Sequence, residues 1–167
     1  EMPGQDLGSD QVSGEIGAVV EGYGAALSRI SQEIVRLMRE SPVHVVWLFD
    51  ESESMSDDRK EIREQFIKVY EELRMVQTQD QAIAKMKQGI LQTTIMSYGK
   101  TYTLLTPNPT SEVEVIKNAI DAIKNDPSGE EQMCFAISDA IKKYGVQAKR
   151  AKPQKKLMII VVSDESG

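Results

Sequence analysis

Oxygen-bearing side chains follow directly after an apolar segment in the first third of the chain. The segment Val43–Phe49 (VHVVWLF) leads into the run Asp50–Ser54 (DESES). In a loop that curls, alternate residues face one centre, so Asp50, Ser52 and Ser54 can converge. Carboxylate and hydroxyl oxygens are hard donors that suit Mg²⁺, Mn²⁺ or Ca²⁺. The spacing therefore predicts a divalent-cation site immediately after this segment.

A second apolar segment ends in the same way. Leu157–Val162 (LMIIVV) runs into Ser163 and Asp164. Continuous apolar runs of this length are typical of strands that are buried on both faces of a parallel sheet, where ligands bind at the carboxyl ends of the strands. We therefore expect Asp164 to meet Asp50 at one edge. Two converging carboxylates repel each other, and a bound divalent ion removes that cost.

Helical and extended patterns alternate along the rest of the chain. Their order predicts an α/β fold, a doubly wound and mostly parallel sheet with helices on both faces. We expect a flexible lead at 1–14, an N-terminal amphipathic helix at 15–41 and the α/β domain at 42–167. Within the domain the patterns predict a helix up to Arg74 and then a hairpin with a two-residue turn at Gly99-Lys100. A second helix is expected to open with the capping box Ser111-x-x-Glu114. A third helix is expected over 132–144, closed by Gly145 and followed by a basic linker at 146–156.

Composition excludes several classes of site and partner. The chain of 167 residues carries a net charge of −6, which argues against nucleic acid as a partner. No apolar run approaches the roughly 18–20 residues of a membrane span. A single cysteine, Cys134, and a single histidine, His44, exclude an intrachain disulfide and a zinc site of the His/Cys type. We expect both side chains to be buried as packing residues.

Asp50, Ser52 and Ser54 match the Asp-x-Ser-x-Ser signature of the von Willebrand factor A-type domain, which carries a metal-ion-dependent adhesion site on a doubly wound sheet. The segments VHVVWLFDESESM and LMIIVVSDESG resemble the first strand with its metal loop and the fourth strand with its aspartate. The resemblance covers about residues 40–167. It implies that the two serines bind one cation directly, Mg²⁺ being favoured, and that Asp50 and Asp164 act through water.

The resemblance departs from the family pattern at the loop before the helix at 132–144. Counting back from Ala136 and Ile137 places Glu131 where the family carries a metal-binding threonine. The pattern Glu-Gln-x-x-x-Ala-Ile resembles a bacterial branch of the family with glutamate at this position, and Glu130 is the alternative ligand. A glutamate adds negative charge beside the ion, which strengthens cation binding and weakens the attraction for an acidic partner.

The resemblance implies a non-enzymatic domain for protein binding or assembly, in which a partner's acidic side chain completes the metal coordination. Two alternatives remain open, namely a metal-dependent phosphoryl-transfer or phosphatase-like enzyme that uses Asp50, and a structural domain in which the metal only stabilises the fold. Members of the bacterial branch are often exported, which favours an extracytoplasmic location and a role in adhesion. The family's sheet continues beyond Asp164, so we expect C-terminal strands to be missing from this chain, and a second polypeptide could supply them.

Overall fold

The computed structural model describes residues 23–55, 59–85, 90–128 and 132–163, with only the backbone of Tyr23, Gly24 and Ser54. The predicted lead at 1–14 and the start of the predicted N-terminal helix lie outside the described residues. Helices and strands alternate in the order α1 (Tyr23–Met38), β1 (Val43–Asp50), a 3₁₀ turn (Glu53–Met55), α2 (Arg59–Gln79), α3 (Gln81–Ala84), β2 (Leu91–Tyr98), β3 (Tyr102–Leu104), α4 (Val113–Asp121), α5 (Met133–Arg150) and β4 (Lys156–Val162).

The described strands form one sheet of four strands in the order β3-β2-β1-β4. β1 is parallel to β2 on one side and to β4 on the other, whereas β3 is antiparallel to β2. Successive strands are therefore added on one side of β1 as far as β3, and β4 is then added on the other side of β1. This is the predicted doubly wound, mostly parallel arrangement, and the carboxyl ends of its strands at the reversal are where such sheets bind ligands.

Helices cover both faces of the sheet, which explains why β1 is apolar at successive positions. All eight residues of β1 are buried. Val45, Trp47 and Phe49 belong to a core shared with α1, α2 and α4. Val46 and Leu48 belong to a second core shared with α5. Burial on two faces removes the alternation of polar and apolar residues that a half-exposed strand shows.

Polar side chains inside these cores are paired with one another. Trp47 Nε1 donates to the Tyr70 hydroxyl over 3.0 Å, and that hydroxyl lies 2.6 Å from Thr93 Oγ1. His44 Nε2 lies 2.7 Å from Thr94 Oγ1, and its ring packs edge-on against another aromatic side chain at 4.9 Å. His44 is 3% exposed, so the prediction of a packed histidine is confirmed.

The structure corrects several local predictions. The helix predicted to end at Arg74 continues to Gln79. Ser111 does not cap the following helix, because the N-cap is Glu112 and no side-chain capping hydrogen bond forms there.

The last helix does not end at Gly145. It continues to Arg150, through the first part of the predicted basic linker, and packs Ala136, Ala140, Tyr144 and Ala148, which are spaced by four, against the sheet. Cys134 is exposed rather than buried. It lies two residues before the sheet-facing Ala136, a step that rotates a side chain to the opposite side of a helix. Three residues, not two, separate β2 from β3.

Candidate functional site

The carboxylate of Asp50 is buried at the carboxyl end of β1. Its side chain is 0% exposed. Oδ1 accepts a hydrogen bond of 2.8 Å from the backbone N–H of Ser52, and Oδ2 accepts one of 3.0 Å from Ser163 Oγ. The first bond closes a local turn of the kind that aspartate favours directly after a strand. The aspartate thus fixes the course of the loop that follows it.

The loop after Asp50 turns immediately into the short 3₁₀ segment. The N–H of Met55 donates to the carbonyl of Ser52 over 3.0 Å, and the Met55 side chain is fully buried in the core. This apolar anchor holds the far end of the DESES run against the domain. Ser52 is half-buried next to Asp50, while only the backbone of Ser54 is described.

The carboxyl end of β4 lies beside that of β1. Phe49 is paired with Val162 in the parallel register, so the next residue on each strand, Asp50 and Ser163, also meet. Their side chains form the hydrogen bond given above. Asp164 follows Ser163 in the chain and lies outside the described residues, as do Glu130 and Glu131. The ligand set predicted from the sequence therefore stays a prediction at those positions.

Glu51 is a buried acidic residue that the sequence reasoning did not single out. It is 9% exposed, and its side chain accepts a hydrogen bond from the hydroxyl of Ser97 near the end of β2. Its N–H donates to the carbonyl of Tyr98, and its own carbonyl accepts from the N–H of Asp126, each over 2.8 Å. The feature of the sequence that could have indicated this contact is Ser97, a polar residue near the end of a buried strand adjacent to β1.

Asp126 organises the loop that approaches the site from the α4 side. Its carboxylate accepts hydrogen bonds from the backbone N–H groups of Lys100 and, over 2.9 Å, Ser128. These N–H groups hold the pKa of the Asp126 carboxyl below its usual value, because they stabilise the ionised form. Asp126 thereby ties the β2–β3 turn to the segment that precedes α5.

Gly99 allows the β2–β3 turn to pack closely against the loop that contains Asp126 and against Glu51. A Cβ at this position would lie 2.5 Å from Asp126 Oδ2 and 2.8 Å from Glu51 Oε1. The carbonyl of Gly99 also accepts a hydrogen bond of 2.8 Å from the N–H of Gln132, just before α5. The glycine is therefore a contact point for three segments at the same edge of the sheet.

Arg59 brings a positive charge to this edge from the first residue of α2. Its Nη1 donates to Asn125 Oδ1 over 2.7 Å and to the carbonyl of Ile123 over 3.4 Å. Desolvation lowers the pKa of the guanidinium, and the nearby carboxylates of Glu51 and Asp50 oppose that effect. The charges of Asp50 and Glu51 therefore act on the charge of Arg59.

The donor types in this region suit a hard cation. Asp50 and Ser52 offer carboxylate and hydroxyl oxygens in a preformed turn, and no ion pair between described residues includes Asp50 or Glu51. Within the part of the chain that the structure describes, no group of three or more His, Cys, Asp or Glu residues could by itself hold a metal ion. The predicted ligands Glu131 and Asp164 lie outside that part of the chain.

Comparison with known proteins gives one family. The model of the von Willebrand factor type A domain matches residues 44–167, which is most of the chain and includes every residue of the site described above. A search of curated proteins found no match. Among the described helices, none has both the length and the apolar character to cross a membrane.

Proposed function

The chain belongs to the von Willebrand factor type A family, and we propose that it is a non-enzymatic binding domain whose contact face is a divalent-cation site after β1. Domains of this family commonly mediate protein interactions and often bind a divalent cation. Beyond these family properties, we propose where the cation binds, which residues hold it and which chemical class of partner it binds.

The observation that carries the proposal is the buried carboxylate of Asp50. A charge removed from water costs several kcal/mol unless it is compensated. Asp50 accepts hydrogen bonds from the Ser52 N–H and the Ser163 hydroxyl, and the second acidic residue, Glu51, is buried directly after it. Arg59 lies near both carboxylates, and a divalent ion would supply the further positive charge that would compensate two adjacent buried carboxylates.

Five residues would hold this ion. Ser52 and Ser54 would bind it directly, Asp50 and Asp164 would act through water, and Glu131 would take the place of the family's threonine. Magnesium is the favoured ion, with Mn²⁺ or Ca²⁺ as alternatives. The bound cation would act as an electrophile that accepts a carboxylate from a protein partner, in keeping with an adhesion or assembly role and the extracytoplasmic location expected for the bacterial branch.

A phosphoryl-transfer enzyme is the less favoured alternative. A carboxylate nucleophile must reach its substrate, yet Asp50 is 0% exposed and both of its oxygens accept hydrogen bonds. These contacts suit a residue that positions a loop and a cation better than one that attacks phosphorus. Turnover of a generic phosphoester that depends on Asp50 would reverse this preference.

Thermal unfolding with Mg²⁺, Mn²⁺, Ca²⁺ and EDTA tests the proposed cation site. A cation that binds only the folded chain at about 100 times its Kd adds about 2.7 kcal/mol of stability. We expect this gain to disappear in Asp50→Asn and Ser52→Ala. It should persist in Glu72→Gln, which removes an exposed carboxylate on α2. An equal response in all four proteins, or none in the wild type, would contradict the proposal.

A further inference from the structure

Positive charge is concentrated in the second half of α5 and in the loop that leads to β4. Residues 140–163 contain seven lysines and arginines and no aspartate or glutamate, in a chain whose net charge is −6. The predicted basic linker is helical as far as Arg150, so part of this charge lies on the surface of α5. The proposed cation site uses none of these residues.

Four of the seven cations have a contact partner: Lys143, Lys149, Lys155 and Lys156. Lys156 pairs with the carboxylate of Glu40, and Lys155 Nζ donates to Gln92 Oε1 over 2.7 Å. The other three are exposed and form no ion pair with a residue that the structure describes: Lys142, Arg150 and Lys152.

Lys142 and Arg150 lie on the same side of α5 as Val146. The three residues are spaced by four, which places them one above another on a helix, and we call them the α5 stripe. Val146 is 47% exposed, so an apolar side chain separates the two cations at the surface. At a rise of about 1.5 Å per residue, the two cations are about 12 Å apart along the helix axis.

Helix stability does not account for the α5 stripe. The helix dipole favours a cation in the last turn, which explains Arg150. Lys142 lies two turns earlier, outside the reach of that effect, and Val146 gains nothing from exposure to water. Lys152 adds a further positive charge just beyond the end of the helix.

Acidic residues near the α5 stripe offset only part of its charge. Asp139 is the one acidic residue of α5; it lies about one turn before Lys142, and its carboxylate accepts a hydrogen bond from the Tyr102 hydroxyl. The strands that pack against α5 are β1, β3 and β4, and their one acidic residue is Asp50, buried at the carboxyl end of β1. Arg150 lies at the other end of α5 from Asp139, so its charge is offset least.

The α5 stripe lies toward the amino ends of the strands. The loop after α5 leads to Lys156, whose N–H donates to the carbonyl of Pro42 just before β1. Glu130 and Glu131 precede the other end of α5 in the chain, and the segment at 86–89, before β2, holds a lysine and no acidic residue. The proposed cation site is at the carboxyl ends of the same strands, so binding at the α5 stripe needs no cation.

We propose that the α5 stripe binds an acidic segment of a protein partner, with carboxylates paired to Lys142 and Arg150 and an apolar side chain between them packed on Val146. Lys152 extends the positive surface beyond the helix. The choice of a protein rests on the family, whose domains commonly mediate protein interactions. A broad anionic surface such as a lipid bilayer would also meet the negative charge of the rest of the chain, whereas a short segment contacts the stripe alone.

Fluorescence anisotropy at low salt in EDTA tests this proposal, with a fluorescein-labelled peptide that has a central leucine and three glutamates on each side. In Lys142→Gln/Arg150→Gln we expect the Kd to rise about fivefold, through the loss of two exposed ion pairs. Lys68→Gln/Lys124→Gln removes the same charge from exposed positions on α2 and after α4 and should stay within about twofold of wild type. Val146→Ser should raise the Kd about threefold, because it removes an apolar contact.

The same titration in Mg²⁺ should give the same Kd, so failure of the proposed cation site would leave this result unchanged. Equal binding by the two double variants, or no binding by the wild type, would overturn the proposal. Binding of phosphatidylserine vesicles through Lys142 and Arg150 without binding of the peptide would also overturn it. So would carbodiimide cross-links from Lys142 or Lys152 to residues 1–22 of the same chain, which contain five acidic residues and no lysine or arginine.

Discussion

Ser163 Oγ donates a hydrogen bond of 3.0 Å to Oδ2 of Asp50, and this contact joins the carboxyl ends of β4 and β1. The two residues are far apart in the chain, and the parallel register of the strands brings them together. The Ser163 hydroxyl thus holds a buried carboxylate at the place where the sheet reverses its strand order. The contact also fixes where the chain leaves β4, one residue before Asp164.

We expect Ser163→Ala to lower the free energy of unfolding by about 1–3 kcal/mol, because it removes a donor from a buried carboxylate oxygen. Urea unfolding in EDTA measures this loss without a contribution from bound cations. Ser163→Thr keeps a hydroxyl and should recover most of the stability. An alanine variant as stable as the wild type would show that the contact has little energetic weight.

Gly99→Ala should destabilise the protein and weaken any cation response. The added Cβ would meet Asp126 Oδ2 at 2.5 Å and Glu51 Oε1 at 2.8 Å, so both carboxylates must move. Gly145 is the matched control, since its Cβ would meet nothing within 4 Å and it lies inside α5. Gly145→Ala should therefore stabilise the protein by about 0.5–1 kcal/mol. Equal changes in the melting temperatures of the two variants would contradict this account.

His44 should make the protein sensitive to mild acid. Burial lowers the pKa of His44 from 6.5 to about 4. The unfolded chain therefore takes up a proton before the folded one does, and stability that is complete above pH 6.5 is lost as the pH falls toward 4. The loss approaches about 3 kcal/mol. Urea unfolding at a series of pH values should show a shallower decline in His44→Gln, and parallel curves for the two proteins would contradict the assignment.

The hydroxyl of Tyr70 should contribute to stability through its two partners. Tyr70→Phe leaves the Trp47 indole N–H and the Thr93 hydroxyl without this partner inside the core. We expect a loss of about 2 kcal/mol in the free energy of unfolding. Tyr102→Phe is the control. Tyr102 is exposed, so the loss of its hydrogen bond to Asp139 should cost no more than about 0.5 kcal/mol. A reversed order of the two losses would refute this reading of the core.

The sequence was sufficient for the parts of the fold that depend on local pattern. The apolar runs at β1 and β4 predicted two buried parallel strands, and Asp50 could be placed at a strand end. Residues whose role depends on tertiary contacts were not found in this way. Glu51 is buried where it meets Ser97 on β2, and Arg59 is held by Asn125, far along the chain.

The wrong helix end at Gly145 has a similar cause. Local propensity favoured termination at glycine, but packing of α5 against the sheet on both sides of that residue continues the helix. The exposure of Cys134 likewise depends on which side of α5 faces the sheet. A composition-based expectation of burial contains no such information.

A crystal structure determined from the protein grown with MnCl₂, with an anomalous difference map, tests the central claim most directly. The account predicts one strong manganese peak beyond the carboxyl end of β1, with the hydroxyls of Ser52 and Ser54 coordinating it directly and Asp50 and Asp164 beside it. A map with no peak at this edge, or with its main peak elsewhere on the protein, would contradict the account.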